Sequence, residues 1–334
     1  MKVCLYFEGE KMIAKSGVGR ALKHQMAALS SVGIDYTLDP NEDYDILHIN
    51  TVGLTSSMVI NKAREDGKKV IYHAHSTEED FRNSFVLSNQ LAPLVRQRLI
   101  SLYASADYII TPTPYSKSLL ESYGIEVEIT AISNGIDLTR FEENPEKVKA
   151  FRKYFSLEPH DQVVLSVGLF FERKGLLDFI EVARKFPSVK FIWFGQTPMY
   201  SIPKKMRDAV EFDHPSNVIF PGYVKGGIIE GAFMNADVFF FPSQEETEGI
   251  VVLEALAGKR EVLVRDIPVY HPWLSHQQNC YMGKTNEEFA VLLRGILNKE
   301  LPSVKEAGYQ VAKSKSIAQI GTELERVYGK VLRG

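Results

Sequence analysis

Two glutamates stand close together in a segment that changes from a strand pattern to a helical one. A short apolar run ends at Phe241, a polar acidic stretch follows, and a helical pattern begins near Gly249. Free amides at a helix start carry a partial positive charge that suits a phosphate or a developing oxyanion. Glu246 would then lie on the loop beside a sugar, and Glu254 on the helix beside ribose hydroxyls. A solvated acidic loop that caps a helix is the alternative.

Two adjacent cations form a second candidate group. Arg173 and Lys174 precede Gly175 and follow a predicted strand that ends at Val167. Cations on a glycine-containing loop at the carboxyl end of a strand are placed to neutralise a diphosphate. The segment has no Walker pattern, so it is not a P-loop, and an exposed surface pair is the alternative.

Glycines open the first predicted helix. Gly17 and Gly19 follow the first strand, in a loop that runs from Lys15 to Arg20. Glycine lets a backbone approach a ligand closely. The third glycine of a dinucleotide-binding fingerprint is missing, so that fingerprint is not predicted, and a plain turn is the alternative.

Two histidines and two aspartates are candidate metal ligands by residue type. His73 and His75 come at the end of a strand and share a face if the chain is extended, so one could point into the crevice at the strand ends. A metal would need a third ligand, which no spacing supplies, so the alternative is a single functional or capping histidine beside a core histidine. Asp43 and Asp45 match a DxD pattern but precede a strand, which indicates a turn. No metal site is predicted.

Short apolar runs alternate with helical patterns, which indicates βαβ units around parallel sheets. The predicted strands are Lys2 to Phe7, Ile46 to Ile49, Lys69 to His73, Tyr108 to Ile110, Val163 to Val167, Val189 to Phe194, Val218 to Phe220, Val238 to Phe241 and Glu261 to Val264. The predicted helices of the first half are Gly19 to Ser31, Thr55 to Asp66, Pro93 to Ala104 and Lys117 to Tyr123. A final amphipathic helix, Ser316 to Leu332, has no strand after it.

Composition and charge limit the functions and the cellular compartment that the sequence can indicate. The chain has 334 residues and a formal net charge of -3, which gives no support to a nucleic-acid binder with a global positive field. Its two cysteines, Cys4 and Cys280, are far apart, which is typical of thiols in a reducing compartment. No signal peptide or membrane span is predicted, so we expect a cytoplasmic protein whose membrane contact is peripheral.

The ordered set of motifs resembles glycosyltransferase family 4. The stretches that carry the resemblance are Glu246 to Glu254 with Gly249, Arg173-Lys174-Gly175, Ser133-Asn134-Gly135-Ile136-Asp137, and His75 after a strand. More narrowly, residues 75–85, 171–175 and 244–254 resemble the Gram-positive glycolipid synthases that extend monoglucosyldiacylglycerol with a galactose.

The resemblance implies an α/β protein with the GT-B fold, in which two Rossmann-like domains have parallel sheets facing a central cleft. The implied domains are residues 1–140, joined by the terminal helix 316–334, and residues 141–315. The second would bind the nucleotide sugar and the first the acceptor.

The resemblance also assigns roles to residues. Arg173 and Lys174 would hold the donor diphosphate, and Glu254 the ribose. Glu246 and the amides near Gly249 and Ile250 would hold the transferred sugar. The remaining implied contacts are the loop of Gly17 and Gly19 over the phosphates, Tyr223 at the base, and His75 lining the site from the first domain.

The implied reaction transfers a hexose with retention, needs no metal cofactor, and takes a front-face route in which the departing phosphate helps deprotonate the acceptor. The expected donor is UDP-galactose, or UDP-glucose in a sibling enzyme. The expected acceptor is a membrane glycolipid. A soluble sugar acceptor, or a non-catalytic regulator that binds a nucleotide sugar, is the alternative.

Residues 81–103 carry apolar side chains with Arg82, Arg96 and Arg98 among them. Such a surface could lie at an anionic membrane. The alternative is that this stripe belongs to the core.

Overall fold

The chain forms two compact units in a computed structural model that describes residues 1–9 and 17–334. One unit contains residues 1–81, 90–137 and 315–334, and the other contains residues 82–89 and 138–314. The predicted domain ranges, 1–140 with 316–334 and 141–315, stay a prediction. The contact pattern differs from them in grouping residues 82–89 with the second unit.

The first unit is built on a parallel sheet, which has six strands within the described residues. These are β1 (Lys2–Tyr6), β2 (Asp35–Thr37), β3 (Ile46–Ile49), β4 (Lys69–His73), β5 (Tyr108–Thr111) and β6 (Ile129–Ala131). Their spatial order is β2-β1-β3-β4-β5-β6. Every residue of β3 is buried, because helices cover both faces of a parallel sheet and favour continuous apolar runs.

The second unit repeats this plan, again with six parallel strands in the described part of the chain. These are β7 (Val163–Val167), β8 (Lys190–Phe194), β9 (Val218–Gly222), β10 (Val238–Phe241), β11 (Glu261–Arg265) and β12 (Tyr281–Gly283). Their order is β12-β11-β10-β7-β8-β9. The core of this unit packs around Phe179, Trp193 and Phe240, which are fully buried.

Helices connect the strands. Those of the first unit are α1 (Gly17–Ser31), α2 (Ser56–Glu65), α3 (Glu78–Phe81), α4 (Ser88–Tyr103), α5 (Pro114–Ser122) and the terminal α13 (Ile317–Arg333), of which α4 has its first two residues in the second unit. Those of the second unit are α6 (Pro145–Tyr154), α7 (Leu176–Ala183), α8 (Lys204–Glu211), α9 (Gly227–Asn235), α10 (Ile250–Ala257), α11 (Asn286–Leu297) and α12 (Lys305–Ser314). Short 3-10 helices span Leu138–Phe141, Glu172–Lys174 and Met199–Ser201.

The terminal helix α13 completes the first unit by packing against α1. Ile320, Leu324 and Tyr328 recur at helical spacing and are buried in the core that includes Leu22 and Leu29 of α1. At Gly321 a Cβ atom would lie 2.5 Å from the carbonyl oxygen of Ala28, so the two helices approach closely only because this residue is glycine.

The predicted fold class and the long elements are confirmed, whereas some boundaries are wrong. The strands β2, β6 and β12 were not predicted, because each has three residues and no strong apolar signal. Helix α4 begins five residues before the predicted start at Pro93. Its first turn is tied to the preceding backbone, since the Ser88 hydroxyl accepts from the Ser84 amide and the Asn89 side chain accepts from the Asn83 amide.

Candidate active site at the carboxyl ends of the strands

The predicted Arg173 and Glu246 segments meet at one edge of the second sheet. Strands β7 and β10 are neighbours and parallel, so the loops after Val167 and Phe241 emerge side by side. The amide of Gln244 donates to the carbonyl oxygen of Arg173 at 2.6 Å, and the Ser243 hydroxyl donates to the same oxygen at 3.2 Å. The strand order therefore brings the two predicted groups together.

Lys174 and Glu246 form an ion pair at this edge. The ammonium nitrogen of Lys174 lies 2.5 Å from Oε1 of Glu246, and the Ser243 hydroxyl donates to the same oxygen at 2.7 Å. The Lys174 side chain is 15 % exposed and the Glu246 side chain 7 %, so water screens the pair weakly. A cation and a carboxylate are thus held together where a diphosphate and a sugar were predicted to bind.

Arg173 contacts neighbouring loops of its own unit. Its Nε donates to the Ser84 hydroxyl at 2.8 Å and its terminal nitrogen donates to the Glu245 carbonyl at 3.1 Å, while only 6 % of the residue is exposed. Its amide donates to the Asn83 carbonyl. Arg173 therefore joins residues 82–89 to the loop after β10, a contact that the sequence did not reveal. Its predicted role at the diphosphate stays a prediction.

Two glycines shape these loops. Gly175 has a φ of +75°, and a Cβ atom there would lie 2.2 Å from the carbonyl oxygen of Pro242. Gly249 has a φ of +89° and immediately precedes Ile250, the first residue of α10. Both positions favour glycine, because larger residues are strained in the left-handed region. The amides of Gly249 and Ile250 lie at a helix start, as the predicted sugar contact requires.

Glu254 is held by a group of charges that the sequence analysis missed. It is 1 % exposed, and its Oε1 lies 3.3 Å from a guanidinium nitrogen of Arg140. The same guanidinium donates to Glu230 at 3.1 Å, and Lys147 lies 2.8 Å from the other oxygen of Glu230. Burial alone would raise the pKa of Glu230, but hydrogen bonds from Lys147 and Arg140 outweigh it and lower that pKa. Arg140 lies in the 3-10 helix after the predicted boundary motif, where no sequence pattern singles it out.

The segment of Gly17 and Gly19 opens a helix, as predicted, but the two glycines belong to the helix itself, since Gly17 is the first residue of α1 and Gly19 lies in its first turn. Helix starts tolerate glycine better than helix interiors do. Lys15 and Ser16 of that segment lie outside the described residues. The predicted phosphate contact of the two glycines stays a prediction, as does the base contact of Tyr223, which follows β9 and is 36 % exposed.

In the first unit, His75 lies just beyond the end of β4 and stacks on His73. Their ring centroids are 4.1 Å apart, and His73 in turn stacks on His48 of β3 at 5.4 Å. Burial lowers the pKa of His75 and of His48 to about 3, and the pKa of His73 also falls well below its usual value. All three rings are therefore neutral near pH 7. The sequence predicted His75 beside a core histidine but did not predict the third ring.

Asp43 and Asp45 are both held by residues that are distant in the chain, and the turn that the sequence indicates for them stays a prediction. Asp43 pairs with Lys68 at 2.7 Å, and an Asp45 carboxylate oxygen accepts the backbone amide of Lys2 at 2.8 Å. Within residues 1–9 and 17–334, no group of three or more His, Cys, Asp or Glu side chains is arranged to hold a metal ion.

Residues 81–103 divide between core and surface. Leu99, Leu102 and Tyr103 are buried, whereas a separate set of apolar residues is exposed. The exposed apolar residues of this segment in the first unit, called here the apolar edge, are Leu91 and Leu94. In residues 82–89, which belong to the second unit, Phe85, Val86 and Leu87 are also exposed.

Arg96 and Arg98 both have contacts within the first unit, and their role as cations of an interface stays a prediction. Arg96 lies 3.8 Å from Glu78 and 4.6 Å above the Tyr123 ring, and Arg98 donates to the Gly53 carbonyl at 2.8 Å. Both side chains stabilise packing within the first unit. Among the described helices, none is long and apolar enough to cross a membrane.

Comparison with known proteins places this geometry in a family. Residues 22–140 match the family model described as Glycosyltransferase Family 4, and residues 147–314 match the model described as Glycosyl transferases group 1. A processive diacylglycerol alpha-glucosyltransferase of Acholeplasma laidlawii is 48 % identical over 334 residues, which cover 100 % of this chain and 99 % of the relative. An alpha-galactosylglucosyldiacylglycerol synthase of Streptococcus pneumoniae is 24 % identical, covering 95 % of this chain and 86 % of that protein.

Solved structures show the same fold. The crystal structure of HepE from Anabaena in complex with UDP and glucose has a TM-score of 0.79 at 15 % identity, covering 99 % of this chain and 100 % of that one. A sucrose-phosphate synthase from Thermosynechococcus elongatus has a TM-score of 0.80 at 16 % identity, covering 100 % and 99 %. With its two parallel sheets and both family models matched in order, the chain has the GT-B fold and belongs to family 4 of the glycosyltransferases.

Proposed function

We propose that this enzyme transfers a hexose from a UDP-sugar to a diacylglycerol-based glycolipid at a membrane surface. The observation that carries the proposal is the 48 % identity, over the whole chain, to a diacylglycerol alpha-glucosyltransferase. The geometry supports it, because Lys174, Glu246 and Glu254 lie in one unit on loops and a helix that follow parallel strands. Ligands of open α/β sheets bind at such strand ends.

UDP-glucose is the donor we now expect. The sequence favoured UDP-galactose, but the relative at 48 % identity is named for glucosyl transfer, whereas the galactosylglucosyl synthase is 24 % identical. Two epimers differ at one hydroxyl, which one or two hydrogen bonds can discriminate. The name of the first relative also includes the word processive, so we expect a monoglycosylated product to serve as the next acceptor.

The proposed reaction breaks the bond between the anomeric carbon and the diphosphate oxygen and forms a bond to the acceptor hydroxyl on the same face. The acceptor proton passes to the departing phosphate oxygen, and UDP leaves. Lys174 stabilises the charge that develops on the phosphate, a task that a metal ion performs in other transferases. Glu246 positions the sugar and is not a nucleophile.

The apolar edge supports an acceptor at a membrane. Leu91 and Leu94 are 45 % and 62 % exposed and lie about one turn apart on α4, and neighbouring exposed apolar side chains are a feature of interaction surfaces. Because Arg96 and Arg98 are engaged elsewhere, we propose that this contact is mainly apolar.

The deciding experiment measures transfer of radiolabelled sugar from UDP-glucose and UDP-galactose to diacylglycerol and to monoglucosyldiacylglycerol in anionic mixed micelles. The expected products are mono- and diglucosyl lipids formed from UDP-glucose, with the α configuration in the product's NMR spectrum. A product from UDP-galactose alone would restore the donor that the sequence favoured. Donor binding without any lipid product would move the acceptor to a soluble sugar, and loss of donor binding would contradict the enzyme assignment.

A further inference from the structure

A buried chain of hydrogen bonds lies beneath His75 in the first unit. The side-chain nitrogen of Gln25, on α1, lies 2.7 Å from Oδ1 of Asn50 and 2.8 Å from Nδ1 of His73. The same Asn50 oxygen lies 2.9 Å from Nε2 of His75. All four side chains are buried, between 2 % and 7 % exposed, so water does not compete for these contacts.

The orientation of the Asn50 side-chain amide determines which groups donate and which accept in these hydrogen bonds. Its side-chain nitrogen faces the backbone carbonyl of His48 at 3.5 Å, so the reversed amide would bring two oxygens together. The Asn50 oxygen therefore faces Gln25 and His75, and an amide oxygen can only accept. Gln25 donates to it, and His75 must donate to it as well. The proton of the neutral His75 ring is then on Nε2.

We propose that Gln25 and Asn50 are positioning residues that fix His75 in the Nε2–H tautomer, so that its Nδ1 accepts a hydrogen bond from a substrate hydroxyl. Nδ1 is the only acceptor left on the ring, and within the described residues it has no protein partner. The assignment of His75 to the substrate pocket rests on the proposed function, whereas the tautomer rests on the hydrogen bonds alone.

The surroundings of His75 keep it neutral, which an acceptor nitrogen requires. The titratable groups packed on it and behind it are His73, His48 and Tyr328, and His48 Nδ1 contacts the Tyr328 hydroxyl at 2.7 Å. None of them supplies a negative charge near pH 7. An imidazolium would instead donate from both nitrogens and would lose the acceptor.

Nuclear magnetic resonance of the full chain labelled with ¹⁵N-histidine tests the tautomer without any reference to activity. The His75 signal is assigned by its loss in His75→Ala. The expected spectrum shows a protonated Nε2 and an unprotonated Nδ1 from pH 6 to pH 8. A protonated Nδ1, in either the other tautomer or the imidazolium, would overturn the proposal.

Asn50→Asp tests the positioning role by its pH profile. A carboxylate accepts the same Nε2–H but raises the pKa of His75, so the ring gains a proton as the pH falls and Nδ1 ceases to accept. We expect kcat/KM of this variant to fall at least about tenfold between pH 8.5 and pH 6 relative to the parent, the size of one hydrogen bond. The matched control is Asn298→Asp, at an exposed position in the second unit, which should follow the parent profile. An unchanged profile in Asn50→Asp would overturn the role.

The hydroxyl belongs either to the donor hexose or to the acceptor glycolipid, and analogues distinguish the two. Fluorine replaces each hydroxyl in turn, because it cannot donate a hydrogen bond. In the parent enzyme, the analogue that lacks the hydroxyl bonded to His75 should have a kcat/KM about tenfold lower than the natural substrate. In His75→Ala, replacing the same hydroxyl should leave kcat/KM nearly unchanged. If the analogue with this behaviour is a modified UDP-sugar, the hydroxyl belongs to the donor hexose. If it is a modified lipid, the hydroxyl belongs to the acceptor. If no analogue couples, the proposal is wrong even where sugar transfer itself proceeds.

Discussion

Lys174 and Glu246 form a nearly buried ion pair, with 2.5 Å between the ammonium nitrogen and Oε1, on the loops that follow β7 and β10. In the proposed reaction this pair is a prearranged charge site. A donor diphosphate brings negative charge that competes with Glu246 for Lys174, while the carboxylate gains sugar hydroxyls as new partners. Because the ammonium and the carboxylate are already in place, little reorganisation of the protein is needed when the donor binds.

Replacing Lys174 with alanine should reduce kcat about 10²- to 10³-fold, because one preorganised charge on the leaving group is lost. The measurement is initial rate against donor concentration, with circular dichroism to show that the fold is kept. Lys185→Ala is the matched control, since Lys185 pairs with Glu287 at the surface. Near-parental turnover in Lys174→Ala would contradict the diphosphate assignment.

Arg140→Ala should weaken donor binding more than turnover. Its guanidinium holds Glu254, the predicted ribose ligand, and an alanine leaves a 1 % exposed carboxylate without that contact. We expect KM for the donor to rise about tenfold, because a hydrogen bond to a charged group contributes about 1.5 kcal/mol or more. Steady-state kinetics checks this, with the surface variant Arg184→Ala as control. A loss confined to kcat would show that Arg140 does not act through the ribose contact.

A chelator should leave the transferase active. Lys174 is proposed to stabilise the leaving phosphate, and Asp43 and Asp45 are engaged by Lys68 and by the backbone amide of Lys2. The rate is compared before and after exhaustive treatment with EDTA, and again after Mg²⁺ or Mn²⁺ is added back. A strict requirement for either ion would show that the charge on the phosphate is neutralised by a metal.

The position of the donor-side residues could be predicted because their chemistry follows local rules. Lys174 and Glu246 both lie in the loops that follow predicted strands, and parallel strands bring such loops to one edge of a sheet. Arg140 and Ser84 could not be predicted, since their partners lie 114 and 89 positions away in the chain. Long-range contacts of this kind leave no periodic signal. The predicted start of α4 at Pro93 is also too late, because proline is common in the first turn of a helix whereas the side chains of Ser88 and Asn89 hold an earlier turn here.

The buried histidines should make the protein less stable at acid pH. The unfolded chain protonates its histidines near pH 6.5, whereas burial lowers the pKa of His48 and His75 to about 3 in the folded protein. Above pH 6.5 they add no pH dependence. As the pH falls from 6.5 toward 3, the unfolded state binds protons that the folded state does not, and each ring lowers the free energy of unfolding by about 1.4 kcal/mol per pH unit.

Urea unfolding at several pH values between 7.5 and 5 measures this slope. His48→Gln should reduce this slope by the contribution of one buried histidine. His160→Gln, at an exposed position, should leave the slope as it is in the parent. An equal slope in His48→Gln and the parent would show that His48 does not contribute.

Charges placed on the apolar edge should weaken membrane binding. Leu91 and Leu94 are 45 % and 62 % exposed, so glutamates fit sterically while they oppose both insertion and an anionic surface. We expect the double variant Leu91→Glu, Leu94→Glu to bind anionic vesicles at least about tenfold more weakly, with UDP binding unchanged. Co-sedimentation measures this. Val291→Glu, on α11 of the second unit, is the control, and equal binding by both variants would place the membrane contact elsewhere.

The return of α13 to the first unit has a consequence for the order in which the protein is made. The amide of Ile136 bonds to the carbonyl of Lys315, and Tyr328 reaches His48, so the first unit needs residues that a ribosome adds after residue 314. Every residue of the second unit has been synthesised by then. During translation the second unit can therefore fold first, while the first unit waits for α13.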